Sequence, residues 1–302
     1  IQNGRKMHAI QNGSNPPSTE KRTRKNKKHQ KTKNKNRTTP NPASAIQRRN
    51  SSRTGKCLNF VQINTNKAKR ATDDLVLFSK RYTNLFIMVQ EPYVNGKNII
   101  PQPTADLKVL AWSDRVIRPR ACVYYHKSLA NKLWYMDSLS TGDCVVVQTR
   151  IDNVTVLMVS CYMDRNDADC PPPAFKNAVD HAKRHGMALV AGTDANAQNS
   201  TWNSTTFDSI GSTRGEELLA YIAKENLIVE NNGDTPTFDN GRWQNSIDLT
   251  ITNQKGHDLL SNWQVMADES TINSSDHHFI TFSCKPGSCL LYTSPSPRDR
   301  SI

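Results

Sequence analysis

The chain has 302 residues, of which 36% are hydrophobic and 22% charged, and its formal net charge is +13. That length fits one large domain or two ordinary ones, and a mean hydropathy of −0.67 is too polar for a uniformly packed globule. No apolar run approaches the length of a bilayer span and no signal-peptide pattern stands at the first residues, which argues against a membrane partner.

The charge is unevenly placed. Residues 1–56 hold 16 of the 40 Lys and Arg and one acidic residue, Glu20, leaving 24 basic and 26 acidic residues over 57–302. The basic character therefore belongs to the N-terminal segment, which is rich in Asn, Lys, Arg, Ser, Thr and Pro. It cannot bury enough surface to offset chain entropy, so disorder is expected there. Its cluster Lys21–Lys28, with Lys25, Lys27 and Lys28, reads as a nuclear localisation signal or a phosphate-binding arm, or equally as a solvated linker. The seven cysteines form no CxxC pair and no Cys/His zinc spacing. Several lie inside apolar runs, as expected of buried free thiols in a reducing, intracellular compartment.

Order is expected from Cys57. Leu58–Ile63 reads as a strand, followed by a helical stretch with Ala68, Ala71, Leu75 and Phe78 on one side. Leu85–Val89 is a second, fully apolar strand that runs into Gln90-Glu91-Pro92. Residues 95–119 are loop-rich, with Arg115, Arg118 and Arg120 near their end. Three strands follow, Ala121–His126, Cys144–Arg150 and Val154–Tyr162, the last two joined at Asp152-Asn153 in a tight hairpin. Pro171-Pro172-Pro173 opens a helix that Gly186 stops.

Met187–Asn196 is the informative segment. Its apolar core, Ala188–Ala191, reads as a buried strand that breaks at Gly192 and delivers Asp194 and Asn196 at its carboxyl end, where α/β sheets gather ligands. A second helix is expected from a Thr213–Glu216 capping box. Leu227–Val229, Ser246–Thr252 and His278–Ser283 complete the strands. Mixed strand order, hairpins and few helices give an α/β fold, two sheets packed on each other with helices outside, as one domain over 57–284. Residues 285–302 lie beyond it, and 290–302 read as foreign to the domain, an assembly or cloning junction.

Five strand ends carry acids, amides or hydroxyls: Asn64, Glu91, Tyr162, Asp194 with Asn196, and Ser275-Asp276-His277. Taken one at a time, each has a bland alternative as a loop residue, a helix cap, a core edge or a turn. Asp248, inside the apolar Ile247-Asp248-Leu249, is harder to dismiss, because a carboxylate in a strand costs several kcal/mol unless paired; His277 is the candidate partner. Jointly the set suits a phosphodiesterase site built on a hard cation. Mg²⁺ takes oxygen ligands and one or two carboxylates, with Glu91 the natural one.

In this order, Gln62-x-Asn64, Gln90-Glu91-Pro92, Tyr162, Asp194-x-Asn196, Ile247-Asp248 and Ser275-Asp276-His277 resemble the endonuclease/exonuclease/phosphatase superfamily. Asp194-Ala-Asn-Ala-Gln-Asn-Ser-Thr-Trp202, Arg214-Gly215, Asn232–Phe238 and Ser246–Thr250 resemble the endonuclease domains of non-LTR (LINE-type) retrotransposons. The resemblance implies a four-layer α/β sandwich and Mg²⁺-dependent nicking of one strand of double-stranded DNA, with Mn²⁺ a substitute. The 3′-hydroxyl so made would prime reverse transcription. It implies Glu91, Asn64 and Asp276 on the metal side, Asp194 on the attacking water, and Asn196, Tyr162 and His277 on the phosphate, with Asp248 holding His277. Arg115, Arg118, Arg120, Trp202, Lys25, Lys27 and Lys28 are the candidate nucleic-acid contacts. Element RNA held by the basic segment, a linked reverse transcriptase outside this chain, and action in the nucleus belong to the same expectation.

Other superfamily phosphodiesterases, such as abasic-site endonucleases or DNases, and a truncated non-catalytic nucleic-acid-binding copy are the rival readings. Three departures from the family pattern are visible, one of them Trp202-Asn203-Ser204 where Trp-Gly-Ser is frequent. Gly192-Thr-Asp-Ala-Asn stands where Gly-Asp-Phe-Asn is frequent, so Thr193 is expected to bulge. Met163-Asp164 stands where a proline-containing turn is common.

Overall fold

Alternation inside the apolar segments sets the architecture. The structure, a computed structural model, describes residues 57–113, 116–268 and 271–284. In chain order its elements are β1 (Asn59–Asn64), α1 (Lys69–Ser79), β2 (Leu85–Gln90), β3 (Leu107–Leu110), β4 (Ala121–His126), β5 (Leu133–Tyr135) and β6 (Cys144–Ile151). They continue with β7 (Val154–Tyr162), α2 (Pro173–Arg184), β8 (Ala188–Asp194), α3 (Ser209–Glu225), β9 (Leu227–Val229), β10 (Phe238–Asp239) and β11 (Gln244–Asn245). The last are β12 (Asp248–Asn253), α4 (Gln254–Leu259), β13 (Leu260–Met266) and β14 (Phe279–Cys284).

Two six-stranded sheets result, ordered β13-β14-β1-β2-β4-β3 and β5-β6-β7-β8-β12-β9. Each has one parallel pair near its centre, β1/β2 in the first and β7/β8 in the second, and antiparallel neighbours around it. Because successive side chains of a strand point to opposite faces, each sheet feeds two apolar layers. Phe60, Phe86, Met88, Val156, Met158, Val190 and Phe282 meet between the sheets. On the outer face of the first sheet, Ile63, Ile87 and Val89 pack with Leu75 and Phe78 of α1. On the outer face of the second, Leu157, Val159 and Leu189 pack with Phe175 and Val179 of α2 and Leu218 and Ile222 of α3. This is the four-layer α/β sandwich that the strand pattern implies.

The inward-facing positions turn polar toward one end. Gln62 donates to Thr193 O at 3.1 Å and Leu249 O at 3.3 Å and accepts from Thr250 Oγ1 at 2.9 Å. Gln90 donates to Ser160 Oγ at 3.1 Å and Gly192 O at 3.0 Å. Both amides are fully buried, and these bonds across the sandwich offset the cost of burying them. Glycine is required at position 192, since a Cβ there would lie 2.8 Å from Gln62 Oε1 and 3.0 Å from Met88 Sδ.

Several expectations need adjusting. Helix α3 starts at Ser209, four residues before the expected capping box, and its N-cap is Asp208, whose carboxylate accepts from Gly211 N at 2.9 Å. Glu216 instead accepts from Asn199 Nδ2 at 3.0 Å. Thr193 does not bulge. Register runs unbroken through Thr193 on both sides, opposite Leu249 on β12 and Cys161 on β7, and its hydroxyl donates to Leu249 O at 3.2 Å. The expectations for residues 1–56, with Lys25, Lys27 and Lys28, for Arg115 and for 285–302 lie outside the described residues.

Candidate active site

Four central strands end together at one rim of the sandwich. Along the inward face β1 reads Phe60, Gln62, Asn64; β2 reads Phe86, Met88, Gln90; β7 reads Met158, Ser160, Tyr162; β8 reads Val190, Gly192, Asp194. Asn64 is in register with Gln90, and Tyr162 and Asp248 are both in register with Asp194. The strand ends thus converge on a cavity of about 510 Å³, lined among others by Asn64, Glu91, Tyr162, Asp194, Asn196 and His277.

Asp194 is 2% exposed and joins the sheets by accepting from Asn64 Nδ2 at 2.7 Å; its other oxygen accepts from Asn196 N at 3.2 Å. Burial raises its pKa to about 7, with the charge of Asp248 adding to the rise and His277, Asn64 and the Asn196 amide opposing it. His277 Nδ1 lies 2.8 Å from Asp248 Oδ2. Burial disfavours its cation, but Asp248, then Asp194 and Asp276, outweigh that and bring its pKa up to about 9. Asp194, Asp248 and His277 each place a polar atom within 4.8 Å of the others.

The segment Asn232–Phe238, matched in sequence without a role, braces this pair. Thr237 Oγ1 accepts from the amides of Ile247 and Asp248 at 3.1 and 3.0 Å, and Thr237 O accepts from His278 N at 2.7 Å. The Phe238 ring meets the His277 imidazole edge-on at 4.9 Å.

Glu91 sits just past β2 with a left-handed backbone, φ 45°, a conformation a non-glycine residue holds only when its surroundings impose it. Here Glu91 N donates to Arg120 O at 2.8 Å, and Glu91 O accepts from Lys67 N at 2.7 Å and Thr65 Oγ1 at 2.9 Å. Its carboxylate, in a side chain 10% exposed, lies 2.6 Å from the Lys67 ammonium. Asp276, next to His277, accepts from Asn66 Nδ2 at 3.2 and 3.3 Å. A sheltered carboxylate already holding a cation, with further carboxylate and amide oxygens around the same cavity, fits a hard divalent metal. Lys67 and Asn66 escaped the sequence reading, because a lysine and an asparagine after a strand carry no distinguishing signal.

Tyr162 lies under the Arg120 guanidinium, 4.9 Å above its ring. Burial, together with Glu91, Asp194 and Asp164, pushes its phenol well above the ordinary range, so it is a neutral hydrogen-bonding group. Arg120 is bound to Asp143 through two bonds, at 2.6 and 2.7 Å, and also to Asp164. Asp164 additionally accepts from Asn166 N at 2.9 Å. The acidic residue thus closes the turn after Tyr162 where the family often has a proline.

Asn196, also left-handed at φ 45°, donates from Nδ2 to Met163 O at 3.1 Å. Arg214, 4% exposed, ties the same two loops together through the carbonyls of Asn196, Asp167, Met163 and Ala195 at 3.1–3.4 Å. Of the expected nucleic-acid contacts, Arg118 is exposed. Trp202 is corrected: it is fully buried, with its indole donating to Ala197 O at 3.3 Å, and serves packing. The exposed aromatics nearer the cavity are Phe207 and Trp243, both on its lining.

Residues 156–281 match the family described as endonuclease-reverse transcriptase. The putative 115 kDa protein in the type-1 retrotransposable element R1DM of Drosophila melanogaster is 25% identical over 247 residues, 79% of this chain but 23% of that protein. The chain therefore spans about a quarter of the curated relative it matches. The solved endonuclease domain of TRAS1, a telomere-specific non-LTR retrotransposon, superposes with a TM-score of 0.62 at 25% identity, covering 76% of this chain and 99% of that one. An AP endonuclease from Leishmania major shares the fold with a TM-score of 0.57 at 10% identity, covering 76% of this chain and 88% of that one. The APE2 catalytic domain of Xenopus laevis does so at 0.57 and 15%, covering 78% and 94%. Over residues 156–281 the chain thus matches the endonuclease-reverse transcriptase family, and it is similar to the endonuclease domain of a non-LTR retrotransposon and shares the fold of AP endonucleases.

Proposed function

We propose that this domain is a Mg²⁺-dependent endonuclease that nicks one strand of double-stranded DNA and leaves a 3′-hydroxyl able to prime reverse transcription of the element's RNA in the nucleus. The observation that carries the reading is the buried unit of Asp194, Asp248 and His277 facing Glu91 across one cavity.

Asp194, with its pKa near 7, is matched to take a proton from water at neutral pH. The water oxygen attacks phosphorus, the bond from phosphorus to the 3′ oxygen breaks, and the departing 3′ oxygen takes a proton from solvent, giving a 3′-hydroxyl and a 5′-phosphate. His277, cationic at neutral pH and held by Asp248, stabilises charge on the non-bridging oxygens. Tyr162 and Asn196 orient the phosphate from the β7 and β8 sides. Glu91, with Asn64 and Asp276, would hold the metal, which when bound supplies Lewis-acid stabilisation of the phosphate and the leaving oxygen. A linked reverse transcriptase and RNA contact through the basic N-terminal segment complete the proposal.

The test is conversion of supercoiled plasmid to open circles in Mg²⁺, in Mn²⁺ and in EDTA, followed by polymerase extension of the nick without prior phosphatase treatment. Metal-dependent open circles that extend directly support the proposal. Intact plasmid under every divalent cation, or nicks that extend only after phosphatase treatment, would overturn it.

A further inference from the structure

The turn between β1 and α1 reaches all three groups proposed for the metal, Asn64, Glu91 and Asp276. Asn66 and Lys67 are consecutive left-handed residues, φ 46° and 58°, and two such non-glycine residues in a row need external support. Asn66 N donates to Asn64 Oδ1 at 2.7 Å, Lys67 N to Glu91 O at 2.7 Å, and Ala68 N to Thr65 O at 2.9 Å. The outcome is a paired delivery. Lys67 Nζ lies 2.6 Å from Glu91 Oε1, and Asn66 Nδ2 bridges both oxygens of Asp276.

We infer that the Asn66–Lys67 turn is a resident substitute for the metal. Lys67 neutralises Glu91 while the metal is absent and is displaced from it when the metal loads. This rests on the proposal that Glu91 is a metal ligand. The ammonium occupies one oxygen of that carboxylate, and two cations cannot share it without strong repulsion. The two side chains differ in freedom. Glu91 is 10% exposed and fixed by its backbone, whereas Lys67 is 47% exposed, on a long flexible stem that reaches solvent. Lys67 is therefore the partner that yields. While paired, it spares a sheltered carboxylate from standing uncompensated, at the cost of weaker metal binding.

Mn²⁺ binding to the full chain, followed by the loss of the free-ion EPR signal, tests this in the wild type, Lys67→Met and Glu91→Gln. Lys67→Met is expected to bind Mn²⁺ about three- to tenfold more tightly, the scale of a partly exposed ion pair, and Glu91→Gln to lose binding. In the wild type, Mg²⁺ should also speed acetylation of Lys67 by acetic anhydride, read by mass spectrometry against Lys69 as internal control. If Glu91→Gln loses binding but Lys67→Met binds no more tightly and Mg²⁺ leaves Lys67 acetylation unchanged, the substitute role is overturned and the metal assignment stands. If Glu91→Gln binds Mn²⁺ like the wild type, both fall.

Discussion

Asp194 and Asp248 stand directly opposite each other on β8 and β12, 2% and 1% exposed, with His277 bound to Asp248 at 2.8 Å. Burial and the neighbouring charge of Asp248 both disfavour the ionised form of Asp194. The histidine decides how the strain is shared. Asp248 serves as its partner, and Asp194, with Asn64 as its main donor, bears the rise in pKa. The arrangement separates a base poised near neutrality from an acid that keeps its proton well above it.

That separation fixes a pH profile. Asp194 must be ionised to accept a proton, so kcat/KM should climb through about pH 7. His277 must be cationic, so activity should fall through about pH 9. Nicking rates from pH 5 to 10 at fixed ionic strength should trace a bell with its plateau between those limits. A rate that still rises at pH 10 would remove His277 from a charged role.

Asp248→Asn isolates the partner. The largest influence raising the His277 pKa is the charge of Asp248, so the alkaline limb should move down from about 9 toward the ordinary histidine range. The rate at neutral pH should drop by about 10–10³-fold, since the amide also disturbs the imidazole tautomer. An unmoved alkaline limb would assign it to another group.

Asp194→Asn should separate activity from stability. Loss of the base should cost about 10²–10⁴-fold in nicking. An acid whose folded pKa exceeds its unfolded value favours folding when protonated, and costs stability as pH rises from the ordinary aspartate value of 3.8 through about 7. The variant should therefore match the wild type near pH 4 and exceed it by about 1–3 kcal/mol at pH 8. Urea denaturation at the two pH values measures the difference.

The fold was legible because the central strands are apolar on both faces, and the polar residues within them recur at every second position. Gln62 and Asn64, Gln90, Ser160 and Tyr162, and Gly192 and Asp194 all face inward and sit at the same end. The pairing of Asp248 with His277 followed from the cost of burying an unpaired carboxylate, and the structure places them 2.8 Å apart. Elements with little burial or length escaped notice: β3, β5, the β10–β11 hairpin, α4 and β13, where propensity is weak and contact with larger elements decides. The start of α3 was misplaced because Thr213 and Glu216 mimic a capping box, while Asp208 does the capping from outside the apolar stripe. Thr193 seemed an insertion only by comparison with a family spelling; in the sheet it is an ordinary ladder residue.

Gly215→Ala offers a last test of how the scaffold serves the site. A Cβ at residue 215 would lie 2.0 Å from Gln198 O and 2.7 Å from its carbonyl carbon, both backbone atoms. Either α3 or the loop carrying Asn196 must move. The cost should be about 2–4 kcal/mol in thermal or urea unfolding, the scale of overpacking against unyielding backbone. Because Arg214 is the next residue and holds the carbonyls of Asn196, Ala195, Met163 and Asp167, a shift of α3 also loosens the two loops that follow Tyr162 and Asp194. Nicking should fall about tenfold or more even at temperatures where the variant is fully folded, as misplacement by 1 Å commonly produces. Gly96→Ala, with nothing within 4 Å of the added methyl, is the control and should stay within about 0.5 kcal/mol of the wild type with unchanged nicking. Full activity in folded Gly215→Ala would mean that the clamp serves stability alone.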